Sequence, residues 1–281
     1  MISNMKLIKI EKMKKFPNKS KLMYDLETKY NHNFFANNIL VHNSGTSFRD
    51  DGNDMMIEAV VGKIQHKINS KTLIDKGWLV RPTIQFIKDY MTDNDIKIKE
   101  EEISKGLINE TKQYPVYYNH FINNNIPRDR AITHIVGKHM GKKILILTKL
   151  VEHGKNLESI IDGSKHLYGA TSKKERAEIF DNFVNGDLNV LISTISIFAE
   201  GIDIPHLSVV INASANRGDI KTIQVLGRVI RILQGKKNAY YIDFEDPIEF
   251  FKVASMSRRK IFRKEGHDVE VIDYGKYKGS D

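Results

Sequence analysis

The sequence predicts an α/β domain with a doubly wound parallel sheet. Short apolar runs recur along the chain, at residues 144–148, 166–169, 189–194, 208–212 and 239–244. A run that is apolar throughout is typical of a strand buried on both faces, as the strands of parallel sheets are. Helical patterns lie between these runs, and the alternation of strand and helix favours a parallel sheet covered by helices.

The clearest helix is predicted over residues 172–184. Ser172 and Glu175 stand three apart in a capping-box pattern, and Gly186 marks the end of the helix. The apolar side chains expected to face the core at helical spacing are Ala177, Phe180, Phe183 and Val184. The sequence of residues 91–127 favours a less regular helical connector. Residues 274–281 are expected to form a frayed tail.

The composition of the chain favours some classes of function and excludes others. The 281 residues have a net charge of +9 and an isoelectric point near 9.3, which favours a polyanionic partner. The chain has no Cys, so it offers no disulfide, thiolate nucleophile or Cys-ligated zinc. The ten His residues are scattered without a His-Glu-x-x-His pattern, so no metal site is expected. No apolar run is long enough to span a membrane, and the first residues lack a signal-peptide pattern.

A polar motif follows the predicted strand at residues 189–194, where ligands of open α/β sheets bind. Ser193 and Thr194 end the strand, and Gly201 and Asp203 follow it. Glycine lets a backbone approach a ligand closely, and the Asp carboxylate can bond a ribose hydroxyl or an Arg. Alone, a Glu-Gly-Ile-Asp sequence is most often a turn.

A second motif lies on the helix predicted to begin near Asp219. It places Gln224, Gly227, Arg228 and Arg231 in a Gln-x-x-Gly-Arg-x-x-Arg pattern. The two arginines stand three apart and are expected to project from one helical face. Planar guanidinium groups suit a triphosphate, because each bonds phosphoryl oxygens in pairs and stabilises charge that develops in transfer. Alone, this pattern is most often a surface helix.

Residues 24–44 bring together residue types that can cleave and rejoin a backbone. The side-chain amide of Asn43 can attack its own carbonyl, which closes a succinimide and breaks the bond to Ser44. His42 and His32 can supply acid–base catalysis for this slow step. The Ser44 hydroxyl can accept an acyl group as an ester, which then rearranges to a peptide bond.

This segment resembles the C-terminal end of an intein, a self-excising protein element. The resemblance rests on Tyr-Asp-Leu at 24–26, Asn-His-Asn-Phe-Phe at 31–35 and His-Asn-Ser at 42–44, in the family's order and spacing. It implies a small, mostly β fragment over residues 1–43 that splices itself out, with Asp25 as an auxiliary catalytic group. The alternative is a strand end followed by an ordinary loop.

The rest of the chain resembles the C-terminal half of a superfamily 2 helicase of the phage UvsW and XPB-like branch. The stretches that match family motifs, in the family's order, are residues 44–46, 73–82, 143–148, 168–171, 194–203 and 224–231. The resemblance implies a RecA-like domain that works with ATP and Mg²⁺ on DNA or RNA. It also indicates DNA repair or recombination, in the cytoplasm of a bacterial or phage-infected cell.

The helicase resemblance assigns roles by position. The residues expected to contact ATP are Gly201, Asp203, Gln224, Arg228 and Arg231, the two arginines acting as arginine fingers. The residues expected to contact the nucleic-acid backbone are Thr148, Ser193 and Thr194. Coupling of hydrolysis to strand separation is expected from Ser44, Gly45 and Thr46, although the family usually has Ala where Gly45 stands.

Two helicase elements do not occur in the 281 residues. There is no Gly-x-x-x-x-Gly-Lys-Ser/Thr phosphate loop and no Asp-Glu-x-His box. The expected domains are an intein fragment at 1–43, the tail of a first RecA-like domain with a linker at 44–88, and a second RecA-like domain at 89–281. We therefore expect a precursor that a split intein joins in trans to a partner chain with the ATP-binding motifs. Alone, the chain is not expected to hydrolyse ATP.

Two alternatives stay open at this point. The unspliced chain can be a nucleic-acid-binding or regulatory module without ATPase activity, or a truncated fragment without a separate role. Residues 1–22 contain seven Lys and one Glu. In the splicing hypothesis this charge steers an acidic N-terminal partner into association, and otherwise it is a solvated arm.

Overall fold

The computed structural model describes residues 33–36, 39–42, 69–106, 113–199, 204, 206–217, 219–232, 236 and 238–279. The chain divides into two units, Met1–Gly45 and Thr46–Asp281. The first unit contains a hairpin of two short strands, and the second contains a large sheet with its helices.

The hairpin is antiparallel. β1 spans Asn33–Ala36 and β2 spans Ile39–His42, and the register pairs Asn33 with His42 at its open end. The two residues between the strands are both Asn, a residue type that tight hairpin turns favour. The pairing places His42 opposite the residue that follows His32 in the chain.

The second unit is built on a seven-stranded sheet in the order β5-β6-β4-β7-β8-β3-β9, and every adjacent pair of strands is parallel. Its strands are β3 (Pro82–Lys88), β4 (Lys143–Thr148), β5 (Ser164–Leu167), β6 (Val190–Thr194), β7 (Leu207–Asn212), β8 (Ala239–Phe244) and β9 (Val269–Asp273). The prediction of a parallel α/β sheet is confirmed. All five predicted strands form, the second of them two residues earlier than predicted.

Helices connect these strands and cover both faces. They are α1 (Ser70–Asp75), α2 (Asp93–Gly106), α3 (Gln113–Tyr118), a π-helix (Asn119–Asn123), α4 (Ile126–Lys138), α5 (Val151–Ile160), α6 (Lys173–Asn185), α7 (Ile195–Ala199), α8 (Asp219–Val229), α9 (Glu249–Lys264) and α10 (Tyr274–Lys278). None of the helices described is long and apolar enough to cross a membrane.

The strands are buried on both faces, which explains their unbroken apolar runs. In β4, Ile144 and Ile146 belong to one hydrophobic cluster, and Leu145 and Leu147 belong to the other. Successive side chains of a strand point to opposite faces, so one apolar run fills two cores. The first cluster includes residues of α2, α4 and α5, and the second includes residues of α6 and α8.

Helix α6 begins and ends where predicted. The hydroxyl of its N-cap, Ser172, accepts a hydrogen bond from the amide of Glu175 at 3.2 Å. The predicted core face is partly wrong, because Ala177 is exposed, whereas Ile179 packs against the core together with the buried Phe183. The helix meets the sheet along a narrow stripe, and a repeat of 3.6 residues turns position 177 towards solvent.

Three segments differ from the sequence prediction or extend it. Residues 82–88, assigned to the linker, form β3 inside the sheet, where the strand pairs with β8 and β9. The prediction of a frayed tail is wrong for residues 274–278, because these form α10 with Tyr274 and Tyr277 buried. Strand β9 was not predicted, whereas the described parts of residues 91–127 are largely helical, as expected.

A buried histidine is expected to make the stability of this domain depend on pH. His139, just after α4, is 8% exposed, and its ring packs on Tyr240 at 4.7 Å between centroids. Burial, and then the charges of Lys142 and Lys138, lower the pKa of His139 to about 4. An unfolded His has a pKa near 6.5, so between these values only the unfolded chain takes up the proton. The contribution of neutral His139 to the free energy of unfolding is therefore complete above about pH 6.5. Below that pH it falls by up to about 1.4 kcal/mol per pH unit.

Urea denaturation at about pH 7.5 and about pH 5 measures this loss of stability. The variant His139→Gln has no titrating group at this position, so its free energy of unfolding is expected to fall less between the two conditions. The same pH dependence in wild type and variant would contradict the role given to His139.

Candidate functional site

The candidate site lies at the edge of the sheet where the parallel strands end. β4 ends at Thr148 and β6 ends at Thr194, and the register pairs these two residues directly. Ser193, the residue before, pairs with Leu147 of the same strand β4. The structure thus brings together the three residues that the sequence predicts to contact a nucleic-acid backbone.

The side chains of these three residues are buried. The exposed fraction is 0% for Thr148, 1% for Ser193 and 5% for Thr194. The Ser193 hydroxyl donates to the Thr194 carbonyl oxygen at 3.2 Å, and Thr194 Oγ1 lies 3.3 Å from Oγ of Ser196. Thr148 Oγ1 makes no hydrogen bond within the part of the chain that the structure describes. An exposed hydroxyl at this edge is that of Ser196, which sequence reasoning missed.

An exposed lysine stands next to these residues. Lys149 directly follows Thr148, and its Nζ atom lies 5.0 Å from the ring centroid of Tyr114 and 4.7 Å from that of Tyr118. Its ammonium group also donates to the Tyr114 hydroxyl at 3.4 Å. Sequence reasoning missed Lys149, although a cation directly after a buried strand is a visible signal for a group at the carboxyl edge.

The loop that connects β7 to α8 is held from three sides. The Tyr118 hydroxyl donates to the Ser214 carbonyl oxygen at 2.8 Å, and Nη1 of Arg128 donates to the Ala213 carbonyl oxygen at 2.9 Å. Nη1 of Arg258 donates to the carbonyl oxygen of Asn216. Between them Ala215 has φ of +49°, a conformation that costs a residue with a Cβ about 1–2 kcal/mol. The surrounding hydrogen bonds hold the loop in this strained form.

A buried ion pair supports the contact between Arg128 and the Ala213 carbonyl oxygen. Arg128 Nε lies 2.8 Å from Oδ1 of Asp246, and both side chains are fully buried. The Tyr90 hydroxyl donates to the same oxygen. Burial is the largest single influence and lowers the pKa of Arg128, but Asp246, Tyr90 and Tyr118 together raise it above its usual value, so the guanidinium stays charged. Burial raises the pKa of Tyr118 well above the usual range, so this hydroxyl stays a donor.

A second buried ion pair lies at the end of β8. Nη2 and Nε of Arg258 lie 2.7 Å from Oδ1 and Oδ2 of Asp243, which is the bidentate geometry. The side-chain amide of Asn212 also donates to Asp243, at 2.9 Å. Sequence reasoning missed both pairs, because no local pattern links their members, which are 15 and 118 residues apart. Each of the two arginines thus donates hydrogen bonds both to a carboxylate and to a carbonyl oxygen of the loop before α8.

Helix α8 presents the predicted phosphate-binding residues differently from the prediction. Gln224 and Arg228 are four residues apart on the helix and both are half-buried. Arg231 lies beyond the last helical residue, Val229, and is exposed. The prediction that the two arginines share one helical face is therefore wrong.

The end of α8 is tied to the segment before β3. Leu79 and Arg231 form an antiparallel bridge, and the Val80 amide donates to the Ile230 carbonyl oxygen at 2.9 Å. These backbone hydrogen bonds replace the helical ones, which explains why α8 stops before Arg231. The exposed Gly227 lies between Gln224 and Arg228, and no atom outside the backbone of its own helix lies within 4 Å of where a Cβ would stand.

Several predicted site residues lie outside the described residues. These are Asp25, His32, Asn43, Ser44, Gly45, Thr46, Gly201 and Asp203. His42 is the last residue of β2. Within the described ranges, no group of three or more His, Cys, Asp or Glu side chains has the geometry to hold a metal ion.

Comparisons with known proteins show which proteins this chain resembles. Residues 99–233 match the family model "Helicase conserved C-terminal domain". The chain is 29% identical over 245 residues to "Putative helicase 22" of Sulfolobus islandicus filamentous virus, covering 85% of this chain and 43% of the relative. It is 28% identical over 204 residues to "Probable helicase D10" of Escherichia phage T5, covering 71% of this chain and 41% of the relative. The chain thus spans less than half the length of these relatives.

Among solved structures the fold is similar to that of Dbp5 of S. cerevisiae bound to RNA and ADP BeF3. The TM-score is 0.55 at 15% identity, covering 84% of this chain and 51% of that one. The parallel seven-stranded α/β sheet therefore has the same fold as that structure. Residues 99–233 of the second unit thus match a helicase C-terminal domain.

Proposed function

We propose that the chain is the C-terminal half of an ATP-dependent superfamily 2 DNA helicase. The main support is the family match over residues 99–233, which includes Thr148, Thr194, Arg228 and Arg231. In this proposal the phosphate loop and the Asp-Glu box belong to a first motor domain that a partner chain provides. Hydrolysis of ATP by the joined protein drives strand separation.

The arginines act on ATP that the first motor domain binds. Arg228 and Arg231 donate hydrogen bonds to phosphoryl oxygens and stabilise the charge that develops during transfer, and Gln224 contributes to the same interface. Gly201 and Asp203 contribute a further nucleotide contact. Mg²⁺ neutralises phosphate charge and is held by the first motor domain.

The carboxyl edge of the sheet contacts one nucleic-acid strand. The paired ends of β4 and β6 bring Thr148 and Thr194 side by side, and the side chains of Lys149 and Ser196 are exposed beside them. Because the threonine hydroxyls are buried, phosphates meet the main-chain amides after these strands and the exposed side chains. Such contacts do not depend on sequence and weaken with salt. The resemblance to UvsW and XPB-like proteins favours DNA, and comparison with an RNA strand of the same sequence tests this choice.

The same proposal includes protein splicing at the Asn43–Ser44 bond. In it, Asn43 cyclises, His42 and His32 assist proton transfer, and Ser44 accepts the upstream segment. Asp25 assists as an auxiliary group, and Ser44, Gly45 and Thr46 then complete the coupling motif. The support is the order of these residues and the hairpin, which pairs His42 with Asn33.

One experiment tests both the proposed splicing and the proposed ATPase activity. This chain is mixed with a partner in which a first motor domain is joined to an intein N-terminal fragment. Intact-mass spectrometry is expected to show a ligated product that contains residues 44–281 and a released fragment that ends at residue 43. ATPase activity stimulated by nucleic acid is expected in the ligated product and not in this chain alone.

Asn43→Ala removes the cyclising amide and is expected to stop release of residues 1–43, whereas Asn37→Ala, between β1 and β2, is the matched control. Release from Asn43→Ala at the wild-type rate would refute the splicing assignment. Nucleic-acid binding by the intact chain, with neither ligation nor ATPase activity, would favour a binding module instead.

A further inference from the structure

An exposed group of aromatic rings lies beside the end of β4. Tyr114 and Tyr117 of α3 meet Phe250 at the start of α9, with ring centroids 6.1 Å and 5.5 Å from that of Phe250. Tyr114 is 40% exposed and Phe250 is 39% exposed. We call Tyr114, Tyr117 and Phe250 the aromatic platform.

The platform is anchored to the core and to the candidate site. Beneath it, Tyr118 and Phe251 are buried, with their rings 6.0 Å apart and centred 6.0 Å and 5.8 Å from that of Tyr114. The Tyr118 hydroxyl bonds the loop between β7 and α8, so the support of the platform is continuous with the carboxyl edge of the sheet. A rigid exposed ring keeps a defined surface available without a loss of side-chain entropy on binding.

A positive charge connects the platform to the strand ends. Lys149 directly follows Thr148, the residue of β4 that pairs with Thr194. The ammonium group of Lys149 contacts the ring and the hydroxyl of Tyr114. Aromatic faces next to a cation suit single-stranded nucleic acid, because bases stack on the rings while a phosphate meets the charge. A purely apolar protein partner would leave this exposed ammonium group without a counter-charge.

We propose that Tyr114 and Phe250 form a stacking site for unpaired bases of the strand whose backbone passes Lys149 and the ends of β4 and β6. This inference rests on the proposed nucleic-acid-binding function and extends it from backbone contact to base contact. The site accepts any base, since every base has a π face. It holds bases of the bound strand apart from a complementary strand.

Fluorescence anisotropy of a labelled short thymidine strand with the full chain tests the platform. Tyr114→Leu and Phe250→Leu each remove a ring, and each is expected to weaken binding about tenfold, within the range for loss of one stacked base. Tyr114→Phe keeps the ring and is expected to bind as the wild type does. Met256→Ala, an exposed apolar residue of the same helix as Phe250, is the matched control and is expected to have no effect.

A strand with abasic sites separates base contact from backbone contact. Wild type and Tyr114→Leu are expected to bind this strand equally, because it has no base to stack. Lys149→Gln is expected to lower the slope of log K against log salt by about 0.7, whereas the ring variants leave the slope unchanged.

Equal binding of the thymidine strand by wild type, Tyr114→Leu and Phe250→Leu would overturn the stacking site and leave the nucleic-acid function intact. Absence of binding by the wild type would instead refute the proposed nucleic-acid function and the platform with it. Weakening by Met256→Ala as large as that by Phe250→Leu would identify a general apolar docking surface and overturn the proposal.

Discussion

Replacement of Arg258 by Ala is expected to lower the free energy of unfolding of the sheet domain by about 3–5 kcal/mol. Arg258 and Asp243 are fully buried, and two guanidinium nitrogens lie 2.7 Å from the two carboxylate oxygens. Without the guanidinium group the Asp243 carboxylate stays buried with only neutral donors, from Asn212, Tyr241 and the backbone amide of Phe244. Urea denaturation followed by circular dichroism at neutral pH measures the loss.

Arg263 provides the matched control for this change. It is an exposed Arg of the same helix, α9, so Arg263→Ala is expected to change the free energy of unfolding by no more than about 0.5 kcal/mol. Adding Asp243→Asn to Arg258→Ala removes the buried charge and is expected to recover part of the loss. A loss in Arg258→Ala no larger than in Arg263→Ala would show that the pair does not support the fold.

Replacement of Arg258 is also expected to change the loop next to the candidate site. Its Nη1 atom holds the Asn216 carbonyl oxygen in the loop before α8, where Ala215 has its strained conformation. Release of this contact lets the loop relax, since strained backbone persists only where its surroundings hold it. The stability of the domain and the position of α8 thus depend on the same side chain.

In the proposed joined helicase, replacement of Arg228 by Ala is expected to lower ATP turnover on the order of 10³-fold. Arg228 is half-buried on α8, so the helix holds its main chain in a fixed position. A charge that acts only in the transition state affects kcat, and a 10³-fold loss corresponds to about 4 kcal/mol of transition-state stabilisation. Steady-state ATPase assays with saturating nucleic acid measure the change in kcat separately from KM.

Arg228→Lys keeps the charge but not the planar fork of donors, and it is expected to restore only part of the activity. The control Arg263→Ala is expected to hydrolyse ATP at the wild-type rate. Turnover in Arg228→Ala close to that of Arg263→Ala would show that Arg228 is not an arginine finger.

Strands with a strong local signal could be predicted, and strands without one could not. β4, β6, β7 and β8 are buried on both faces, so their sequences are apolar runs. β9 is an edge strand whose residues are half-buried or exposed, and it alternates charged and apolar side chains. β3 pairs with β8 at a separation of more than a hundred residues, a contact that no local pattern records.

The last helix, α10, is another element that the local sequence does not predict. Tyr274 and Tyr277 are separated by charged and small residues, which favours a frayed tail in the sequence. In the structure both rings pack against His134 of α4, at 6.0 Å and 6.3 Å between centroids. Burial of two aromatic rings stabilises a five-residue helix that would not form alone.

The sequence by itself determined the fold class of the domain, because strands that are buried on both faces are apolar runs. It also predicts the positions of a phosphate-binding site, because the motifs for such a site are local patterns. Only the tertiary structure decided how those positions combine. It placed Arg231 beyond α8, because its backbone bonds Leu79 rather than the helix. It also brought Tyr114, Lys149 and Phe250 together from three distant segments at the edge where parallel strands end. Such a site depends on long-range packing, which the order of residues along the chain does not reveal.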